Sequence, residues 1–322
     1  MQLAPHHFLR LTFQHFYMTT FRINPLSVLV LSLLFFSACT APRSVIHSGK
    51  VTPKGEFKVG TDYAFNVATQ PIGAVADVTT DLVRTLKNRD SVVVDDQVNG
   101  LARAALAYTL DPAAPSWDFY IRYGLVERVD VGYKYAFGSH VFDAMFQFMG
   151  STGTIKNPGA PGTYGSIGFQ YSGKKSSLPG KVLWEDIDNL LKYEARRTDI
   201  LIPLVFSTSF GPEEEVGNIS YGVAYSRTWS NYTFDTSNFF QKQIDRQDVV
   251  PVKAVSEKNS YGALGIFANA KIGYKYVYFL PAMAIYYQNY GEYQLLADRT
   301  TELKGFTFIP SLGLQVNIGR SR

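Results

Sequence analysis

Cysteine is almost missing from this chain. Cys39 is the only one in 322 residues, so no intrachain disulfide holds the fold. Histidine is scarce as well: of five, only His47 and His140 lie beyond the N-terminal region. No CxxC pair, HExxH pattern or Gly-rich loop ending in Lys-Ser/Thr occurs, which removes the common redox, zinc and nucleotide-phosphate signatures, and nothing in the sequence calls for a cofactor. Charged residues make up only 18%. No internal apolar stretch is long enough for a membrane-spanning helix.

The one long apolar run is N-terminal, from Leu26 to Cys39, with Arg22 just ahead of it and no acidic residue before Glu56. A basic region, an apolar stretch and a small-residue exit form a secretory signal, assigned to residues 1–38. Met18 would give that signal a more usual length. Removing Arg10 and Arg22 with it leaves 29 of the 31 basic residues against 27 acidic ones. So near-neutral a balance gives no reason to expect a nucleic-acid partner.

Aromatic residues are abundant, at 15% with 21 Tyr and 23 Phe, and there are 26 Gly. They fall in a two-residue alternation. In Trp117-Asp118-Phe119-Tyr120-Ile121-Arg122-Tyr123 the odd positions are apolar, and in Arg128-Val129-Asp130-Val131-Gly132-Tyr133-Lys134-Tyr135 the apolar set is again the odd one. Only a strand sends successive side chains to opposite faces. Several charges on one face cannot sit unpaired in a dry core. The pattern predicts strands at 55–68, 116–125, 127–137, 140–149, 163–172, 198–210, 216–229, 260–268, 272–288 and 305–318. Their lengths approach the roughly 9–11 residues that a tilted strand needs to cross a bilayer.

The expected fold is all-β: an antiparallel transmembrane β-barrel of about ten strands (8–12) over 55–319. Inserts are expected at 71–114, 173–197 and 230–258. Helical spacing of Val75, Val78, Leu82 and Leu86, of Leu101, Ala104 and Ala105, and of Val182, Leu183, Ile187, Leu190 and Leu191 predicts short helices in the first two. Residues 39–54 have no periodicity and read as a tether. Connections after odd-numbered strands are mostly long and the others mostly short, as in outer-membrane barrels. A soluble β-domain alternates too. The aromatic apolar face, the Gly- and Ser-rich polar face and the unequal connections favour the membrane.

Phe36-Ser37-Ala38-Cys39 resembles the bacterial lipobox, whose cysteine is lipid-modified and becomes the mature N-terminus; Phe36 departs from the usual Leu. The resemblance implies lipidation of Cys39 and an outer-membrane lipid partner, with a periplasmic N-terminus. The segment Tyr123–Gly132 resembles a strand–turn–strand phrase of bacterial outer-membrane β-barrel proteins. That resemblance implies architecture and no catalytic residue. The C-terminal aromatic usual in such barrels is absent, since Ile318 is followed by Gly319-Arg320-Ser321-Arg322.

The lumen-facing charges on this reading are Glu56, Lys58, Asp62, Asp118, Arg122, Arg128, Asp130, Lys134 and Asp143. They either line a narrow path for a small solute or pair across strands and seal the barrel, leaving a structural scaffold. A lipid-tethered soluble binding domain is the alternative. A hydrolase using His140 is a weaker one: Ser139 and His140 are adjacent on a strand and point to opposite faces, and a nucleophile needs its base within hydrogen-bond reach. Glu213-Glu214-Glu215 reads as a solvated turn. The aromatics Tyr232, Phe234, Phe239 and Phe240 suit either a partner or the lipid interface.

Overall fold

The computed structural model describes residues 43–76, 92–136, 138–154, 156–157, 160–177, 194–237, 239–242 and 249–319. Cys39, the signal region and the helix expected near 180–196 lie outside them, apart from residues 194–196, which are strand.

Ten long strands close into one antiparallel barrel. In chain order they are β1 (Phe57–Ala68), β3 (Ala114–Val126), β4 (Val129–Ala136), β5 (Ser139–Met149), β6 (Thr163–Ser177), β7 (Glu194–Ser209), β8 (Gly217–Phe234), β11 (Val255–Tyr274), β12 (Val277–Gln294) and β13 (Thr300–Ile318). Each pairs with its neighbour in this list, and β1 closes the ring between β3 and β13. The short β2 (Val92–Val93), β9 (Phe239–Lys242) and β10 (Val249–Pro251) form a separate small sheet. Among the described residues, the helices α1 (Thr69–Ala76) and α2 (Asp96–Leu110) lie between β1 and β3.

The alternation fixes the two faces. Along β3, Trp117, Phe119 and Ile121 are exposed on the outside, while Asp118, Tyr120 and Arg122 are buried inside. The same split runs round the ring and leaves a continuous outer belt that includes Phe142, Phe169, Tyr221, Leu264, Phe279 and Leu314. Leu264, the most exposed, keeps 63% of its surface. So many contiguous exposed apolar groups are not tolerated in water.

Three prolines sit in the middle of long strands. Pro203, Pro281 and Pro310 each coincide with a gap in one neighbouring ladder: β6–β7 pairing skips from Ile167–Leu204 to Gln170–Leu201, β11–β12 from Asn269–Ala282 to Ile272–Phe279, and β1–β13 from Ala64–Ser311 to Val67–Phe308. Proline has no N–H to donate to the ladder, so pairing opens on one side.

The strands run farther than the alternation of the apolar belt alone indicates. In β8, Ile219, Tyr221, Val223, Tyr225 and Trp229 face outward and Ser226, Thr228 and Ser230 inward. Beyond Trp229 the polarity inverts: Asn231 and Thr233 face outward, while Tyr232 and Phe234 are buried inside. The end of β8, the start of β11 and the facing ends of β12 and β13 thus stand beyond the belt around a core of the kind found in water-soluble proteins. Tyr232, Phe234, Phe239, Tyr261, Tyr290, Tyr293, Leu296 and Leu303 pack there on α2. The expected 230–258 loop is therefore largely strand and core, and its buried aromatics Tyr232, Phe234 and Phe239 meet neither lipid nor a partner surface.

Helix α2 is built for burial. Asp95 caps its N-terminus, accepting from the Val98 N–H at 2.9 Å. Its alanines allow close approach, and Leu101, Ala102, Ala104, Ala105 and Leu106 are fully enclosed. Among its terminal carbonyls, that of Leu110 accepts from Arg197 Nη1 (2.6 Å) and from the Tyr261 hydroxyl (3.2 Å). A guanidinium there also favours the negative end of the helix dipole.

The β11–β12 turn lies at 275–276 instead of 269–271. Asn269 and Lys271 look like turn residues in the sequence, but they are polar because they face the interior of β11.

Candidate functional site in the barrel interior

The barrel interior is filled by the chain's own residues 43–54. The sequence suggests a tether here, yet Arg43, Ser44, Val45, Ile46, Lys50, Val51 and Thr52 are all buried. Twelve residues of near-extended chain reach roughly 40 Å, enough to thread a barrel that crosses a hydrocarbon core of about 30 Å. The backbone is satisfied from the wall on every side. Asn269 donates to the carbonyls of Val45 and His47, each at 3.2 Å. The Gly49 N–H donates to Ser207 Oγ (3.0 Å), the Val51 N–H to Gln147 Oε1 (3.2 Å) and the Thr52 N–H to Asp130 Oδ2 (2.7 Å). The Tyr286 hydroxyl donates to the Arg43 carbonyl (2.9 Å). Val45 and Val51 join an apolar cluster with Met145, Leu201, Phe267 and Ile309, and Ile46 packs with Tyr120 and Leu280.

The direction of threading is defined. Lys54 bridges to Gly124, the Gly55 N–H donates to the Gly124 carbonyl at 2.8 Å, and the chain turns there into β1. That is the end of the barrel with the 127–128 and 275–276 turns. Arg43 lies at the opposite end, beside Gln288 and Asp111, under α2. The described chain therefore enters the barrel at the end that carries the long inserts.

Three tiers of charge line this path. At the inserted end, Asp111 is wholly buried and accepts from Arg43 (2.5 Å), Asn66 (2.8 Å), Thr307 (2.6 Å), Tyr290 (2.9 Å) and Gln288 (2.5 Å). Asp111 lies beyond the membrane-spanning strands. Burial alone would raise its pKa, but the Arg43 charge and the Thr307 and Arg43 hydrogen bonds outweigh that and hold it below the usual carboxylate value. Nearby, the Arg197 Nε donates to both carboxylate oxygens of Asp199, at 2.8 and 2.9 Å.

In the middle, Arg122 is the hub. It contacts Asp130 (Nη2 to Oδ1, 2.5 Å) and also Asp143, and His47 of the threaded segment lies 3.4 Å from its Nη1. Lys134 lies 3.4 Å from Asp118, and Asp62 stands directly opposite Asp118 across the β1–β3 ladder. At the short-turn end, Glu214 accepts from Ser48 (3.0 Å) and Ser207 (3.0 Å) and pairs with Lys271 at 3.3 Å. Lys58 donates to the Lys50 carbonyl at 3.1 Å. A small open cleft of about 40 Å³ remains at this end, bounded by Lys50, Lys58, Glu214, Lys271 and Tyr278 among others.

Of the charges read from the sequence, Glu56, Lys58, Asp62, Asp118, Arg122, Asp130, Lys134 and Asp143 face this interior. Arg128 does not: it is exposed on the β3–β4 turn at φ +66°, because a two-residue turn forces a left-handed position there. His140 points outward among Tyr133 and Tyr135, its Nδ1 2.8 Å from the Tyr133 hydroxyl, while Ser139 and Asp143 point inward. No Ser–His–Asp constellation forms around it. Glu213-Glu214-Glu215 is not simply solvated either, since Glu214 is 1% exposed and ion-paired. Arg43, Asp111, Arg197, Asp199, Lys271 and Gln288 are among the interior residues that the sequence did not single out. Val45, Ile46 and Val51, apolar residues that an unstructured linker does not favour, were the available signal.

Among described residues no group of His, Cys, Asp or Glu is placed to hold a metal. No protein-family model matches the chain, and no curated protein matches it in sequence. Among solved structures it is similar to the outer membrane protease OmpT from Escherichia coli, with 8% identity and a TM-score of 0.36, over 82% of this chain and 94% of that one. It is also similar to the outer membrane protein OprG from Pseudomonas aeruginosa, with 9% identity and a TM-score of 0.29, over 85% and 100%. The attachment invasion locus protein Ail of Yersinia pestis gives 9% identity and a TM-score of 0.29, over 82% and 99%.

Proposed function

We propose that this chain is a bacterial outer-membrane β-barrel that is self-plugged, and that it serves as a membrane-embedded scaffold for its outer domain instead of an open diffusion pore. One observation carries the reading: residues 43–54 occupy the interior and exchange hydrogen bonds with at least five strands. The apolar belt with its tyrosines and tryptophans supports the membrane, and the long strand extensions with α2 above it support an outward-facing domain. Transport of a small solute then requires the segment to move. Lipid attachment at Cys39 belongs to the same proposal.

Planar-bilayer conductance tests it. The intact chain is expected to be silent, and a variant lacking residues 43–54 that still migrates as a folded barrel is expected to open stable steps. Stable steps from the intact chain would overturn the plug reading and restore the pore.

A further inference from the structure

Just beyond Trp229, basic side chains gather on the outer wall. Lys175 of β6 lies opposite Arg196 of β7, Arg196 opposite Asn231 of β8, and Asn231 opposite Lys258 of β11. All four are exposed on the outer face. They form one hydrogen-bonded row across four adjacent strands, two residues, or about 6–7 Å along the strand, beyond Trp229. Arg227 lies on the same face, two residues inward from Trp229, and its Nη2 donates to Ser260 Oγ at 2.6 Å. On these strand ends the acidic side chain of that face among described residues is Glu194, two residues farther out than Arg196, and among the described residues none of the four cations has an ion-pair partner.

Four cations with hydroxyl and amide neighbours, at the edge of an apolar belt, match a multiply charged anion held at a fixed height. We infer that this face binds the phosphorylated headgroup of a lipid in the surrounding leaflet, with Lys175, Arg196 and Lys258 carrying the phosphate contacts and Arg227 and Trp229 bracketing the boundary with the acyl chains. Cations at a bilayer surface attract anionic headgroups. Arginine offers a phosphate a two-pronged donor. The inference rests on the outer-membrane reading, because it requires that the belt be embedded in lipid.

The test uses the full chain in neutral detergent micelles, with native mass spectrometry counting the lipid retained. The probe is a glycolipid carrying two phosphates, compared with its dephosphorylated form. The wild type is expected to retain the bisphosphorylated lipid preferentially. The triple variant Lys175→Gln, Arg196→Gln, Lys258→Gln should lose at least about tenfold in retention, given roughly a fivefold loss per cation. A control triple, Lys253→Gln, Arg299→Gln, Lys304→Gln, should retain it. Equal retention by the first triple, or equal retention of the dephosphorylated lipid, overturns the inference. So does displacement of the lipid by inorganic phosphate at matched concentration, which would make this an ion site. Heat-dependent gel migration is run in parallel: its loss in the wild type would sink the barrel reading itself, while its retention with no lipid preference sinks only this inference.

Discussion

Arg43, in the threaded segment, and Asp111, just past the end of α2, meet in a buried ion pair of 2.5 Å although they are 68 positions apart in the chain. The pair joins three parts of the molecule. Arg43 belongs to the plug and Asp111 to the cap, while the wall contributes Asn66, Gln288, Tyr290 and Thr307 to the same carboxylate. Removing either partner strands a charge in a dry site, which typically costs about 3–5 kcal/mol. Arg43→Ala and Asp111→Ala are each expected to lower the thermal stability of the barrel by that order. The double variant should fall well short of the sum, because the second change removes the stranded charge. Thermal unfolding of the four proteins in detergent checks this; additive losses would mean that the pair is not coupled.

The same carboxylate predicts acid sensitivity. The pKa of Asp111 is lowered from 3.8 in the folded protein, so the folded state binds its proton less readily than the unfolded chain does. Its contribution is present in full above that value and drains away as pH falls through the lower folded value. Between neutral pH and about 4 the cap should therefore hold, and below that it should loosen. Asp111→Asn should flatten this part of the stability profile. Fluorescence-monitored unfolding across that range measures it, and an unchanged profile in the variant would remove Asp111 as the cause.

Two glycines let the plug fit. A Cβ on Gly49 would lie 2.6 Å from the Tyr164 carbonyl oxygen, and one on Gly124 would lie 2.0 Å from the Pro53 carbonyl oxygen. In both cases backbone blocks the space, so no side-chain rotation relieves the clash. Gly49→Val and Gly124→Val are expected to displace residues 43–54 while leaving the wall ladders intact. Limited proteolysis near residue 50 should quicken in both, and conductance should rise from silence. Protection equal to wild type would show that the segment is not held where the structure places it.

Arg122 and His140 should behave in opposite ways. Arg122 joins Asp130, Asp143 and the threaded segment in the interior, so Arg122→Ala leaves two carboxylates without their shared cation and should cost several kcal/mol. His140 sits on the outer face among tyrosines, and His140→Ala should shift stability by less than about 1 kcal/mol. It should also leave any deletion phenotype complemented. Failure of complementation by a folded His140→Ala protein would revive the hydrolase reading.

Lipidation at Cys39 has a direct check. Cells fed labelled palmitate should label the wild type and not Cys39→Ala. Equal labelling of both would remove the lipid anchor while leaving the barrel untouched.

The sequence by itself determined the architecture. Period-two alternation from Trp117 to Tyr135 sets which side chains face out and which face in, because a strand allows no other arrangement. The all-β class, the barrel of about ten strands and the interior position of most of the charges follow from that local rule. It also hid some boundaries: Asn269 and Lys271 imitate a turn because an interior-facing position in a membrane barrel is as polar as a loop. Only the tertiary structure decided what fills the barrel. Residues 43–54 carry no periodicity, since their partners surround them on all sides and mostly belong to strands 70 to 245 positions away. The same holds for Asp111, Glu214 and the inverted core around α2, whose roles arise from which distant residues the closed ring brings together. A local pattern records which way a side chain points, and closure of the ring determines what it meets there.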